Sequence, residues 1–127
     1  MNSKKILIID DEPDILWLTS LMLGKAGYEI LTADSGRDVF EIIQNQKPDL
    51  LLIDLILPVI YGNWLCKQIK SSEEFKHIPI ILFTAYHDIM TAEKAKSLGA
   101  DGFITKPFEA KELIAKIDNI LSESAAL

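Results

Sequence analysis

The sequence predicts a three-layer α/β domain wound on a parallel sheet, and three observations carry that reading. Unbroken apolar runs of strand length recur along the chain, the stretches between them repeat apolar residues at helical spacing, and the two kinds alternate five times. Such runs suit strands covered on both faces, and right-handed crossovers then place helices on both sides of the sheet.

Ile6-Leu7-Ile8-Ile9 reads as the first strand. A helix follows from Pro13 to Ala26, with Ile15, Leu18, Met22 and Ala26 at i, i+3, i+7 and i+11 on one inward face. Pro13 suits its first turn, and Gly27 stands where a left-handed residue would end it. Tyr28 to Ala33 is a weaker strand near a sheet edge. Ser35 is placed to cap a second helix carrying Val39, Phe40 and Ile43, stopped by Pro48. Leu50-Leu51-Leu52-Ile53 is the third strand, and Gly62 to Ile69 the third helix, with Leu65 and Ile69 at i, i+4. Ile80-Ile81-Leu82-Phe83 is the fourth strand; Asp88 then caps a helix presenting Ala92, Ala95 and Leu98 before Gly99. Asp101 to Ile104 is a second weak strand, and Glu109 precedes a fifth helix with Leu113, Ile117, Ile120 and Leu121 inward. Residues 1–122 are expected to form one domain and 123–127 a flexible C-terminal tail, with no repeat, linker or output domain in the chain.

A length of 127 residues with 49% apolar and 25% charged residues suits one folded core. The single cysteine, Cys66, excludes an internal disulfide and any multi-cysteine zinc site, and reads as a small hydrophobe. A formal net charge of −6 opposes binding to nucleic acid or an anionic membrane by bulk electrostatics, and favours a cation or a basic partner. No run is long enough for a membrane span or a signal peptide, so a cytoplasmic location is expected. His77 and His87 read as solvated loop residues.

In open α/β sheets, ligands bind beyond the carboxyl ends of the strands. Here the first strand ends in Asp10-Asp11, the third in Asp54 and the fourth in Thr84, while the fifth leads to Lys106. If the first and third strands are neighbours, three carboxylates meet in one pocket. Bare carboxylates at that separation repel, and a hard divalent cation such as Mg²⁺ removes most of the cost. Cation, lysine and hydroxyl together offer a partner for each non-bridging oxygen of a phosphoryl group, with Asp54 the natural nucleophile. Glu12 and Asp14, by contrast, read as complements to the positive end of a helix dipole. Asp34 and Asp88 read as turn or cap residues.

Taken in order, these motifs resemble the response-regulator receiver domain of two-component signalling. They are Ile8-Ile9-Asp10-Asp11-Glu12-Pro13, Asp54-Leu55-Ile56-Leu57-Pro58 with Gly62, Phe83-Thr84-Ala85, Leu98-Gly99-Ala100-Asp101-Gly102-Phe103 and Thr105-Lys106-Pro107-Phe108. The resemblance covers essentially the whole chain and implies a doubly wound (βα)5 fold with strand order 2-1-3-4-5. It implies that Asp54 accepts a phosphoryl group from a histidine of a sensor histidine kinase or phosphotransfer protein. Mg²⁺ would be held by Asp11, Asp54 and the backbone carbonyl of Ile56, with Asp10 positioning a bound water. Thr84 and Lys106 would contact the phosphoryl oxygens, and the Lys106–Pro107 bond would be cis. Thr84 and Phe103 would form the switch that reaches the face of the fourth helix, fifth strand and fifth helix. Such a protein is a signalling phosphoacceptor that catalyses only its own phosphorylation and dephosphorylation. It acts on a downstream protein target or output domain, without direct nucleic-acid contact, as a monomer or a phosphorylation-linked homodimer.

Departures from the family pattern are informative. Tyr61 and Trp64 replace a small polar and an acidic residue, either adding packing to the third helix or presenting an aromatic patch to a partner. Ile56 and Tyr86 cannot orient an attacking water, so slow self-dephosphorylation is expected. Phe103 in place of tyrosine cannot hydrogen-bond outward, so its buried rotamer is expected to be more populated before phosphorylation. Three rival readings are a haloacid-dehalogenase-type phosphatase, a flavodoxin-like electron carrier and a phosphorylation-independent pseudo-receiver. The first needs a second aspartate where Ile56 stands, and the second a glycine- and hydroxyl-rich loop where Asp10-Asp11-Glu12-Pro13 stands. The third is opposed by the intact Asp54, Thr84 and Lys106.

Overall fold

The computed structural model describes residues 3–57, 61–84 and 92–125. Strands and helices alternate through them: β1 (Lys5–Ile9), α1 (Pro13–Lys25), β2 (Glu29–Ala33), α2 (Val39–Gln46), β3 (Leu50–Asp54), α3 (Gly62–Ser71), β4 (Ile80–Thr84), α4 (Ala92–Ser97), β5 (Gly102–Thr105) and α5 (Ala110–Ala125). The strands form one parallel sheet in the order β2-β1-β3-β4-β5. This is the receiver fold. Among the described residues, no helix is long and apolar enough to cross a membrane.

The pleat divides the apolar runs between two cores, because successive strand residues face opposite sides. Leu7, Ile9, Leu51, Ile53, Ile80 and Leu82 pack with Val39 and Ile43 of α2, Leu65 and Ile69 of α3 and Ala95 of α4. Ile6, Ile8, Leu50, Leu52, Ile81 and Phe83 pack with Leu23 of α1 and with Leu113 and Ile117 of α5. The central strands β3 and β4 are buried along their whole length, whereas β2, at an edge, is only partly covered. That difference is what made their sequences read as strong and weak strands.

Two local expectations are corrected and two helix ends are located. Of the four residues expected inward on α1, Ile15 packs on the core but Leu18 and Ala26 are exposed; the buried residues are Thr19 and Leu23, with Leu16 beside them. The helix is apolar on nearly every side over Ile15 to Leu18 and Leu21 to Leu23, so spacing alone could not select a face. Ser35 does not cap α2, which starts after Asp38; its hydroxyl instead accepts the Arg37 N–H at 3.3 Å, a local turn contact. The stop of α2 is Lys47, in the left-handed region at φ 51°, directly before Pro48. Lastly, α5 continues to Ala125, carrying helix into the segment expected as a tail. The expected cap at Asp88, with Tyr86 and His87, lies outside the described residues.

Candidate functional site

Strand register assembles the site. Ile9 pairs with Ile53, so Asp10 and Asp54 come next to each other at the carboxyl ends of β1 and β3. Thr84 pairs with Thr105, which carries Lys106 one step beyond the end of β5. The ladder continues there, since the Lys106 N–H donates to the Thr84 carbonyl at 2.7 Å. The Lys106–Pro107 peptide is cis.

Asp10, Asp54 and Thr84 are buried, and only 11% of the Lys106 side chain is exposed. The Lys106 ammonium lies 3.0 Å from Asp10 Oδ2, 3.2 Å from Asp54 Oδ2 and 3.5 Å from Glu12 Oε1. It also stands 4.7 Å from the centre of the Phe83 ring, a cation–π contact on the floor of the pocket. The remaining oxygens of the two buried aspartates are fixed by main chain. Asp10 Oδ1 accepts the Glu12 N–H at 2.9 Å, and Asp54 Oδ1 accepts the Ile56 N–H at 3.1 Å.

Close packing holds Asp54 from behind. The Leu55 N–H donates to the Phe83 carbonyl at 3.0 Å, and the Gly62 N–H donates to the Leu55 carbonyl at 2.9 Å. A Cβ on Gly62 would collide with the Asp54 carbonyl oxygen, so α3 can begin this near the end of β3 only with glycine there.

The electrostatics follow from burial. Desolvation raises the Asp54 carboxyl from 3.8 to about 6, against the opposing pull of the Lys106 charge and the Ile56 N–H. Burial acts in the other sense on Lys106, pulling its pKa down, but the hydrogen bonds and charges of Asp10 and Asp54 outweigh it and leave the ammonium above the ordinary lysine value. One fixed cation thus faces three carboxylates, Asp10, Glu12 and Asp54, whose nearest oxygens all lie within 4.8 Å of one another. Two negative charges remain uncompensated. That surplus, offered entirely through hard oxygen donors, fits a small divalent cation.

The residues expected here divide clearly. Asp10, Asp54 and Lys106 come together, and Thr84 lies against them through the main chain of Lys106. Ile56 follows Asp54 with its side chain exposed and its N–H on the carboxylate. Asp11 is exposed at the mouth and does not join the carboxylate cluster, whereas Glu12, expected only to balance a helix dipole, does. Glu12 is the N-cap residue of α1 yet makes no side-chain capping bond. A signal was available: glutamate is a poor N-cap compared with aspartate, serine or threonine, so its side chain is free for another partner. Phe103 is half-buried against the α2–α3–α4 core. Tyr61 and Trp64 are 61% and 50% exposed and belong to neither buried core.

The response regulator receiver domain model matches residues 6–118 of the chain. The phosphate regulon transcriptional regulatory protein PhoB of Pseudomonas aeruginosa is 39% identical over 121 residues, 95% of this chain and 53% of that protein. The alkaline phosphatase synthesis transcriptional regulatory protein PhoP of Bacillus subtilis is 35% identical over 122 residues, covering 96% of this chain and 50% of its own length. The chain therefore spans about half the length of these curated relatives. A solved CheY-like response regulator receiver domain protein from Methanospirillum hungatei superposes with a TM-score of 0.88 at 30% identity, covering 98% of each chain.

Proposed function

We propose that this chain, which belongs to the response regulator receiver domain family, takes a phosphoryl group onto Asp54 from a phosphohistidine of a sensor kinase or histidine phosphotransfer protein. A receiver is a signalling phosphoacceptor rather than a turnover enzyme, and the pocket of Asp10, Glu12, Asp54 and Lys106 is consistent with that role. The observation that carries the proposal is the state of the Asp54 carboxylate. One oxygen is immobilised by a main-chain N–H while the other is turned to a buried ammonium, so its direction is set before any donor arrives.

In the transfer, an Asp54 oxygen forms the new bond to phosphorus as the phosphorus–nitrogen bond of the donor breaks, and the electron pair of that bond returns to the imidazole ring. Lys106 and Thr84 hydrogen-bond the phosphoryl oxygens, the first with full charge and the second as a neutral donor. The family resemblance implies that Asp11, Asp54 and the Ile56 backbone carbonyl would hold Mg²⁺, with Asp10 positioning a bound water; Asp10 and Asp54 already lie in the carboxylate cluster, and Asp11 would have to turn in from its exposed position. When bound, the ion supplies charge neutralisation to the phosphoryl oxygens. Ile56, apolar and beside the reacting carboxylate, cannot orient a hydrolytic water, which supports a slow loss of the group. Thr84 and Phe103 then carry the change to the α4–β5–α5 face. A coupling of about 1–3 kcal/mol suffices to alter affinity for a downstream partner.

The test is intact mass after incubation with a small phosphodonor and Mg²⁺. A gain of one phosphoryl group is expected, absent in Asp54→Asn and absent with chelator. An equal gain in the variant would place the acceptor elsewhere.

A further inference from the structure

Two of the three anions around Lys106 are held rigidly and one is not. Asp10 and Asp54 are buried, and each spends its second oxygen on a backbone N–H. Glu12 is 61% exposed at its side chain, forgoes the N-cap bond open to its position, and reaches Lys106 at 3.5 Å. An exposed, loosely held carboxylate is the member of this set that a stronger anion displaces most readily.

We propose that Glu12 is a positioning residue that holds the Lys106 ammonium toward the mouth of the pocket and releases it when a phosphoryl group arrives. The inference rests on the reading of Asp54 as phosphoacceptor. At rest, Lys106 spreads its charge over Asp10, Asp54 and Glu12. A phosphoryl group on Asp54 brings oxygens with more charge than one carboxylate, and they take the share of the ammonium that Glu12 held. Asp10, fixed by its main-chain bond, keeps its share throughout. Glu12 therefore opposes occupation of the site through a contact that must be broken, and its length matters as well as its charge. Aspartate at the same position would keep the charge but, one methylene shorter, fall out of reach of an ammonium already at 3.5 Å.

The test is titration with beryllofluoride in the presence of Mg²⁺, with the protein-held fraction read by ¹⁹F NMR. Glu12→Gln and Glu12→Asp should both bind about two- to fivefold more tightly than wild type, the range expected for losing one exposed ion pair. The gain should shrink as salt is raised, because exposed pairs are screened. Asp14→Asn, which removes a nearby charge from the first turn of α1, should change affinity less. Glu12→Asp behaving like wild type while Glu12→Gln binds tighter would reduce the effect to bulk charge and overturn the proposal. Equal affinity in all forms would overturn it too, while leaving the phosphoacceptor reading intact. Failure of wild type itself to hold the probe would sink both.

Discussion

Two lysines sit in polar clusters at opposite ends of the sheet, and they are built differently. Lys106, at the carboxyl end, faces three carboxylates. Lys70, at the amino end of β4, is 16% exposed and donates to the Ile78 and Lys76 carbonyls at 2.7 and 3.2 Å, with Asp101 Oδ2 at 2.9 Å. The same Asp101 oxygen accepts the Ile80 N–H at 2.8 Å. One charge meets one countercharge there, and the remaining bonds go to neutral main chain. The Lys70 cluster is closed, pinning the α4–β5 connection to α3, and it is helped by the Cys66 thiol, which donates to the Leu98 carbonyl at 3.4 Å. Burial pushes that thiol up to about 11, so it stays protonated and able to donate. The Lys106 cluster is left with surplus negative charge. Balanced charge marks a structural joint, and imbalance marks a place that awaits a ligand.

Each cluster leans on a glycine, and substituting both is the sharpest way to separate the two ends. Gly62→Ala drives a methyl into the rigid Asp54 carbonyl, and a loss of about 3 kcal/mol is expected in urea unfolding. Gly99 is at φ +87°, and its Cβ would lie 3.0 Å from Cγ of Lys70, a flexible neighbour that can move. Gly99→Ala should therefore cost only the left-handed backbone penalty of about 1–2 kcal/mol. A larger loss at Gly99 than at Gly62 would reverse the ranking of the two joints.

Lys70→Met should remove about 1 kcal/mol or a little more, because it strips bonds from two carbonyls and a half-exposed carboxylate. Adding Mg²⁺ should not restore that loss. Restoration by the ion would mean that the two ends are not independent.

A separate expected effect is one of pH. The folded Asp54 carboxyl lies near 6 against 3.8, so its contribution to stability is fullest below about 3.8 and is lost as pH rises through about 6. Without divalent cations, Asp54→Asn should match wild type near pH 4 and become the more stable protein above about pH 7. A variant less stable than wild type at the higher pH would show that the Lys106 pairing, and not desolvation, dominates this carboxyl.

Much of this was readable from residue order. The unbroken apolar runs of β1, β3 and β4 announced strands buried on both faces, and the acidic or hydroxyl residue ending each run announced the site. What escaped notice was whatever depended on which of several equivalent surfaces turns inward. Helix α1 is apolar nearly all round, so Thr19 and Leu23, not Leu18 and Met22, could be found inward only once α5 was packed beside it. Glu12 looked like a charge for the helix end because its partner lies 94 residues away. The Lys70–Asp101 joint was invisible for the same reason, since neither residue has a local pattern that names the other. Tyr28 gives a further case: its hydroxyl is held by Asp118 of α5, and burial with that contact raises its pKa.

The two indoles offer a practical dividend. Trp17 projects from α1 with 67% of its surface in solvent, and Trp64 projects from α3, in the layer on the opposite side of the sheet. Neither supports the interior. Replacing one leaves a protein with a single tryptophan on a known layer, so docking on that side can be followed by indole emission without any attached dye.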